Sequence, residues 1–178
     1  MRVIAGRFKG RRLKTPTWEG LRPTSDKLRE TLFNILAPRI EGARVVDGYA
    51  GTGAIGIEAL SRGAAHVTFV ERDPRAIALI EANLAGCGAT DGYTIRRADV
   101  VAALPQLDAG APDLIVLDPP YDAEVDRVLQ AAARVVASDG LVVLERATRR
   151  QPTAPAALER VRDVVSGDST LSFFRLST

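Results

Sequence analysis

From residue 44 onward the chain alternates short apolar runs with amphipathic stretches, and this alternation restricts the fold more than any other feature. The runs predict strands over 44–49, 66–71, 94–98, 114–118, 141–145, 162–165 and 171–176. The stretches between them predict helices over 54–61, 74–85, 123–136 and 154–159, and a further helix over 25–37 precedes the first strand. Near-continuous apolar strands separated by helices belong to an open parallel sheet covered on both faces. Only Ser166-Gly167-Asp168-Ser169 separates the last two strands, too little for a crossover, so they form an antiparallel hairpin. The fold class is α/β, a seven-stranded, mostly parallel, Rossmann-like sheet ending in that hairpin.

Ahead of this body, residues 1–14 read as two short strands around a turn at Lys9-Gly10. A two-stranded hairpin is marginal in water by itself, so this arm leans on the body or orders on binding. The division expected is a basic arm over residues 1–20 and a single domain over 21–178. Residues 1–40 carry ten Lys or Arg against three acids, a local charge of +7 in a chain whose formal net charge is +2. A basic front end on an acidic body points to a polyanionic partner, with Arg7, Lys9, Arg11 and Arg12 as phosphate contacts. Arg22, Thr24 and Arg29 are candidates for contacts to a nucleic-acid phosphate or to a ligand's carboxylate. Phe8 and Trp18, set among the cations, either stack on bases or pin the arm to the domain.

A single cysteine, Cys87, and a single histidine, His66, supply neither a disulfide nor a zinc site, so no metal and no Cys/His nucleophile is expected. No apolar run approaches a membrane span. The expectation is a cytoplasmic monomer.

The chemistry concentrates at Asp118-Pro119-Pro120-Tyr121, where a buried strand gives way to a loop. An exocyclic amino group on a nucleobase is a poor nucleophile because its lone pair is delocalised into the ring. The Asp118 carboxylate and the Pro119 carbonyl can each accept one of its N–H bonds and favour the pyramidal nitrogen that develops during attack. The two prolines hold these acceptors rigidly, and Tyr121 offers a face for an extruded base. As a plain structural feature, the same segment is a strand end followed by a Pro-Pro turn.

Ligands of such sheets gather at the carboxyl ends of the strands, and four acids stand there: Asp47, Glu71, Asp99 and Asp118. Asp47 opens Asp47-Gly-Tyr-Ala50-Gly51-Thr-Gly53, whose glycines allow close backbone approach to a ligand. Glu71, with Arg72 beside it, is placed to accept ribose hydroxyls, and Asp99 to accept from an adenine amino group. This set suits S-adenosyl-L-methionine, which is cationic at sulfur and carries no phosphate. The rival is a dinucleotide, because Gly51-Thr-Gly53-Ala-Ile-Gly56 spells G-x-G-x-x-G with an acid about twenty residues on. Asp47 would be unwelcome beside a pyrophosphate, and Asp-Pro-Pro-Tyr has no part in hydride transfer. Each acid also has a structural alternative: Asp47 as a cap of the next helix, Glu71 or Asp73 as the cap at Pro74, Asp99 as a solvated turn.

A mostly parallel sheet with one terminal antiparallel hairpin is the layout of class I S-adenosylmethionine-dependent methyltransferases. Nearly end to end, the chain resembles the bacterial family that methylates a guanine N2 of 16S ribosomal RNA. The marks are Ile4-Ala-Gly6, Gly10-Arg-Arg-Leu13, Leu21-Arg-Pro-Thr24, Arg29-Glu-Thr-Leu-Phe-Asn34, Asp47-Gly-Tyr-Ala-Gly-Thr-Gly-Ala54, Gly56-Ile-Glu-Ala-Leu-Ser-Arg-Gly63 and Asp118-Pro-Pro-Tyr121. The resemblance implies 16S rRNA in an assembled small subunit as substrate and guanine N2 as target. Asp-Pro-Pro-Tyr is shared with adenine-N6 methyltransferases of RNA or DNA, and a non-enzymatic RNA-binding assembly factor on the same fold is the other alternative.

Overall fold

The structure, a computed structural model, describes residues 1–19, 24–108, 110–120 and 123–178. Seven strands form one sheet: β1 Arg44–Gly48, β2 His66–Glu71, β3 Tyr93–Arg97, β4 Leu114–Leu117, β5 Leu141–Ala147, β6 Leu158–Ser166 and β7 Ser169–Leu176. Their order is β3-β2-β1-β4-β5-β7-β6. The first five run parallel, while β7 pairs antiparallel with both β5 and β6. Connections reverse direction between β1 and β4, so the crevice above their carboxyl ends is the switch point where ligands of such sheets bind.

Helices cover both faces: α1 Asp26–Ile40, α2 Ala54–Ser61, α3 Pro74–Cys87, α4 Val100–Ala103 and α5 Val125–Ala133. Alternation along each strand sends side chains to opposite faces and divides the core in two. Val45, Val67 and Phe69 face α1, α2 and α3, whereas Val46, Val70, Ile115 and Leu117 face α4 and α5. Gly56 of α2 permits the close helix–sheet contact, since a β-carbon there would lie 2.2 Å from the Phe69 ring. Strands β1 and β4, central in the sheet, are buried from Val45 to Gly48 and over Leu114–Leu117.

Caps account for several boundaries. The Ser25 side chain accepts from the Leu28 N–H to begin α1, and Asp73 accepts from Arg75 at the start of α3, with Pro74 in the first turn. Gly88, left-handed at φ 78°, ends α3.

Three sequence expectations need correction. Residues 154–159 do not form a helix: a turn closed by the Leu158 N–H on the Pro155 carbonyl leads directly into β6, and buried Leu158 pairs with Leu176. Alanine favours a helix there, but Pro155 and sheet pairing prevail over propensity. The stretch after β3, read without a helix, holds α4 and a 3₁₀ turn over Leu104–Gln106.

The N-terminal arm is also not a regular hairpin. Its ladder is short: the Arg2–Arg12 bridge, with Val3 N–H on the Arg11 carbonyl, Leu13 N–H on the Met1 carbonyl and Gly10 N–H on the Val3 carbonyl, while the segment between, Ile4 to Phe8, bonds to α2. Ile4 and Ala5 N–H donate to the buried Glu58 carboxylate, Arg7 N–H to the Ser61 carbonyl, and Phe8 N–H to the Ser61 hydroxyl. Val3, Phe8 and Leu13 enter the core, leaving Arg2, Arg7, Lys9, Arg11, Arg12 and Lys14 exposed.

Candidate active site

A cleft of about 590 Å³ opens above the carboxyl ends of β1, β2 and β4, inside the usual small-molecule range of roughly 300–1,000 Å³. The sheet brings Asp47, Ala50, Gly51, Glu71, Arg72, Asp99, Asp118, Pro119 and Pro120 to its walls. Gly53 does not line it; at φ 76° it caps α2 and closes the turn on the Ala50 carbonyl. Tyr121 and Arg22 lie outside the described residues.

The acids are held differently. Asp47, 1% exposed, accepts from the Gly56 N–H at 2.8 Å and thereby caps the first turn of α2 from the end of β1. Burial, opposed by that bond and reinforced by Asp118 and Glu71, pushes its carboxyl well above the ordinary aspartate range. Glu71 accepts from the Gly51 N–H with one oxygen and from the Arg72 and Asp73 N–H groups with the other. This triple anchor locks the glycine turn against β2. Asp99 is exposed and accepts from Val101 N–H as the cap of α4. Tyr49 has φ 64°, a left-handed geometry that costs a side-chain-bearing residue of order 1–3 kcal/mol. Its phenol is pushed up to about 12 by burial and by the nearby Asp99 charge, against the opposing Arg72.

Asp118 follows β4 and extends the ladder through its N–H to the Gly48 carbonyl. One carboxyl oxygen accepts from the Thr24 hydroxyl at 2.7 Å, and Glu145 of β5 stands beside the carboxyl, one residue beyond the Leu117–Leu144 pair. Burial raises its pKa, and Thr24 and Glu145 oppose the rise. Pro119, Pro120 and Glu145 form a wall common to the first cleft and an adjoining one of about 520 Å³, which Arg127 and Arg150 also line.

Sequence reasoning did not find Thr24 as the partner of Asp118, and it missed Glu145 and Asn83. Glu145 had the same signal as the four acids singled out, an acid at a strand's carboxyl end. Asn83, in the middle of α3, had no signal: it accepts from Lys14 N–H and donates to the carbonyls of Lys14 and Thr52, joining the arm to the glycine turn.

The expectation for Arg29 as an RNA contact is overturned. Its side chain is fully buried and donates to the Arg2 carbonyl and to Asp26. Phe8 is likewise buried with Arg7 over its ring, so it pins the arm. Trp18 lines the cleft, half-buried, beneath the Arg75 guanidinium.

The donor set fits S-adenosyl-L-methionine better than a dinucleotide. Asp47 already occupies the first turn of α2, where a pyrophosphate would have to sit, while Asp47, Glu71, Asp99 and Asp118 suit a cationic ligand.

Strand order, antiparallel β7 and the acid-lined switch-point cleft define the class I methyltransferase fold. Solved structures agree: the yhhF protein of Escherichia coli superposes with a TM-score of 0.88 at 30% identity, covering 99% of this chain and 97% of that one. A Thermus thermophilus protein gives 0.82 at 28% identity, covering 99% of each. The chain belongs to the family described as Conserved hypothetical protein 95, whose model matches residues 1–175. Among curated relatives, Ribosomal RNA small subunit methyltransferase D of Escherichia coli strain K12 is 36% identical over 173 residues, 94% of this chain and 85% of that protein. YlbH of Bacillus subtilis is 39% identical over 151 residues, 82% of each.

Proposed function

We propose that this protein transfers a methyl group from S-adenosyl-L-methionine to the exocyclic N2 amino group of a guanine in the RNA of the small ribosomal subunit. The observation that carries the reading is the place of Asp118-Pro119-Pro120: Asp118 lines the acid-lined cleft, and the two prolines that follow it form the wall shared with the second cleft. The relative named for small-subunit ribosomal RNA methylation spans 94% of the chain and supports the substrate class.

Bound S-adenosyl-L-methionine supplies an electrophilic methyl group on a sulfonium. Asp47, Glu71 and Asp99 hold the cationic ligand and its ribose, while the Ala50-Gly51 backbone approaches it closely. Arg7, Lys9, Arg11 and Arg12 hold RNA phosphates, and the target base enters beside Pro119. Asp118 and the Pro119 carbonyl accept the amino N–H bonds and localise the nitrogen lone pair; Tyr121 stacks on the ring. Asp118 is the nearest base for the proton that leaves.

The test is methyl transfer from labelled S-adenosyl-L-methionine to naked 16S RNA, unmodified small subunits and duplex DNA, followed by nucleoside analysis. N2-methylguanosine from the subunits is the expected product. Label on adenine refutes the guanine assignment, and transfer undiminished in Asp118→Ala refutes the catalytic one.

A further inference from the structure

Glu145 lies outside the group of residues from which the methylation reading was built, yet it stands beside Asp118. Strands β4 and β5 are parallel, with Leu117 opposite Leu144, so the next residues, Asp118 and Glu145, emerge side by side at the carboxyl edge. Adjacent strands are only about 4.8 Å apart, so Glu145 lies close enough to Asp118 to offset part of the rise that burial gives its carboxyl. The Thr24 hydroxyl donates to Asp118 Oδ2, and Glu145 lines both clefts.

This pair has a chemical consequence for the base it faces. Guanine presents two neighbouring donors on one edge, N1–H and the N2 amino group. Adenine presents its N6 amino group beside N1, which is an acceptor. One carboxylate suffices to engage an amino group of either base. A second carboxylate alongside it matches N1–H of guanine and opposes the lone pair of adenine N1.

We propose that Glu145 is the specificity residue for guanine, accepting from N1–H while Asp118 accepts from the amino group. Both carboxyls accept in their ionised form, so a proton held by either passes to solvent as the base binds. Methyl transfer then forms the N–C bond as the C–S bond breaks, its electron pair remaining on sulfur. The nitrogen then passes its extra proton to the Asp118 carboxylate, which releases it to solvent. The inference rests on the methylation reading above and supplies it with a physical basis for selecting guanine.

The experiment compares guanine, 2-aminopurine and adenine at the target position of the RNA substrate at mildly alkaline pH, with wild type, Glu145→Ala and Glu145→Gln. 2-Aminopurine keeps the amino group at C2 but has an acceptor at N1. Wild type should prefer guanine to 2-aminopurine strongly. Glu145→Ala should lower kcat/KM for guanine about tenfold or more while changing 2-aminopurine little, collapsing the preference. Glu145→Gln retains an amide acceptor of the same size and should keep an intermediate preference. Equal losses on both bases in Glu145→Ala, with S-adenosyl-L-methionine binding retained, would mean that Glu145 merely supports the site and would overturn the inference. Wild-type label on adenine would instead overturn the guanine reading itself.

Discussion

Thr24 and Asp118, 94 residues apart in sequence, meet through a 2.7 Å hydrogen bond in which the threonine hydroxyl donates to Asp118 Oδ2. Ser25 begins α1 at the next residue, so the cap of that helix delivers Thr24 to the end of β4. The bond orients the carboxylate and stabilises its ionised form. Thr24→Val, which preserves shape but removes the donor, should lower kcat about tenfold and leave S-adenosyl-L-methionine affinity unchanged. Thr24→Ser should restore most of the rate. Single-turnover kinetics beside calorimetric binding separates the two effects.

The pH dependence follows from the same carboxyl. Asp118 titrates above the ordinary aspartate range because burial outweighs the opposing effects of Thr24 and Glu145. Acting as an acceptor requires the ionised form, so kcat should fall as pH drops through the raised value. Removing the Thr24 bond takes away a stabiliser of the carboxylate, so Thr24→Val should move this acid limb to higher pH. A limb at the same pH in both proteins would assign it to another group.

Asp47 links stability to pH with the opposite consequence. Its folded pKa lies well above the ordinary value, so the folded chain binds the proton more tightly than the unfolded chain does. Stability from this group is therefore lost as pH rises from the ordinary carboxylate range through the raised folded value. Asp47→Asn keeps an acceptor for the Gly56 N–H without a buried charge. It should be at least as stable as wild type at neutral pH, with that component of the pH slope removed, and bind S-adenosyl-L-methionine at least about tenfold more weakly. Urea denaturation across pH, with calorimetric ligand binding, checks both.

Gly6 sets how the arm docks. At φ 81°, it lies so close to α2 that a β-carbon would stand 1.8 Å from the Ser61 carbonyl oxygen. Backbone cannot yield as a side chain can, so Gly6→Ala should displace the arm and destabilise the fold by about 2–3 kcal/mol. Chemical denaturation measures the loss, and RNA affinity should fall with it.

The arm's cations and Arg29 should separate cleanly. Replacing Arg7, Lys9, Arg11 and Arg12 with glutamine should flatten log K against log salt by about 0.7 for each phosphate no longer neutralised. Arg29→Met should leave that slope unchanged but cost about 2–4 kcal/mol of stability, because the buried guanidinium and its bond to the Arg2 carbonyl disappear. A changed slope in folded Arg29→Met would return Arg29 to the RNA surface.

Much of the fold was legible because its signals are local. The β2 and α2 spans read from hydrophobic pattern coincide with the structure, and the final hairpin follows from a connection too short for any alternative. Errors fell where local preference competed with distant contacts. Ala-rich residues 154–157 form a turn rather than a helix because Leu176 is there to pair with Leu158 at the start of β6, and the Ile4–Phe8 part of the arm bonds to Glu58 and Ser61 rather than extending the ladder. Among site residues, acids at strand ends were visible from strand periodicity alone. Glu145 shared that signature, whereas Asn83 inside a helix did not.

Sequence by itself determined the parallel sheet, the line of acids at its carboxyl edge and the Asp118-Pro119-Pro120 turn, since each depends on residue types at short spacings. Tertiary structure alone decided that Thr24 donates to Asp118, that Glu145 stands beside it, and that Arg29 is buried rather than exposed to a polyanion. Those outcomes depend on where helical crossovers deliver segments far apart in the chain, which periodicity along a single segment does not encode.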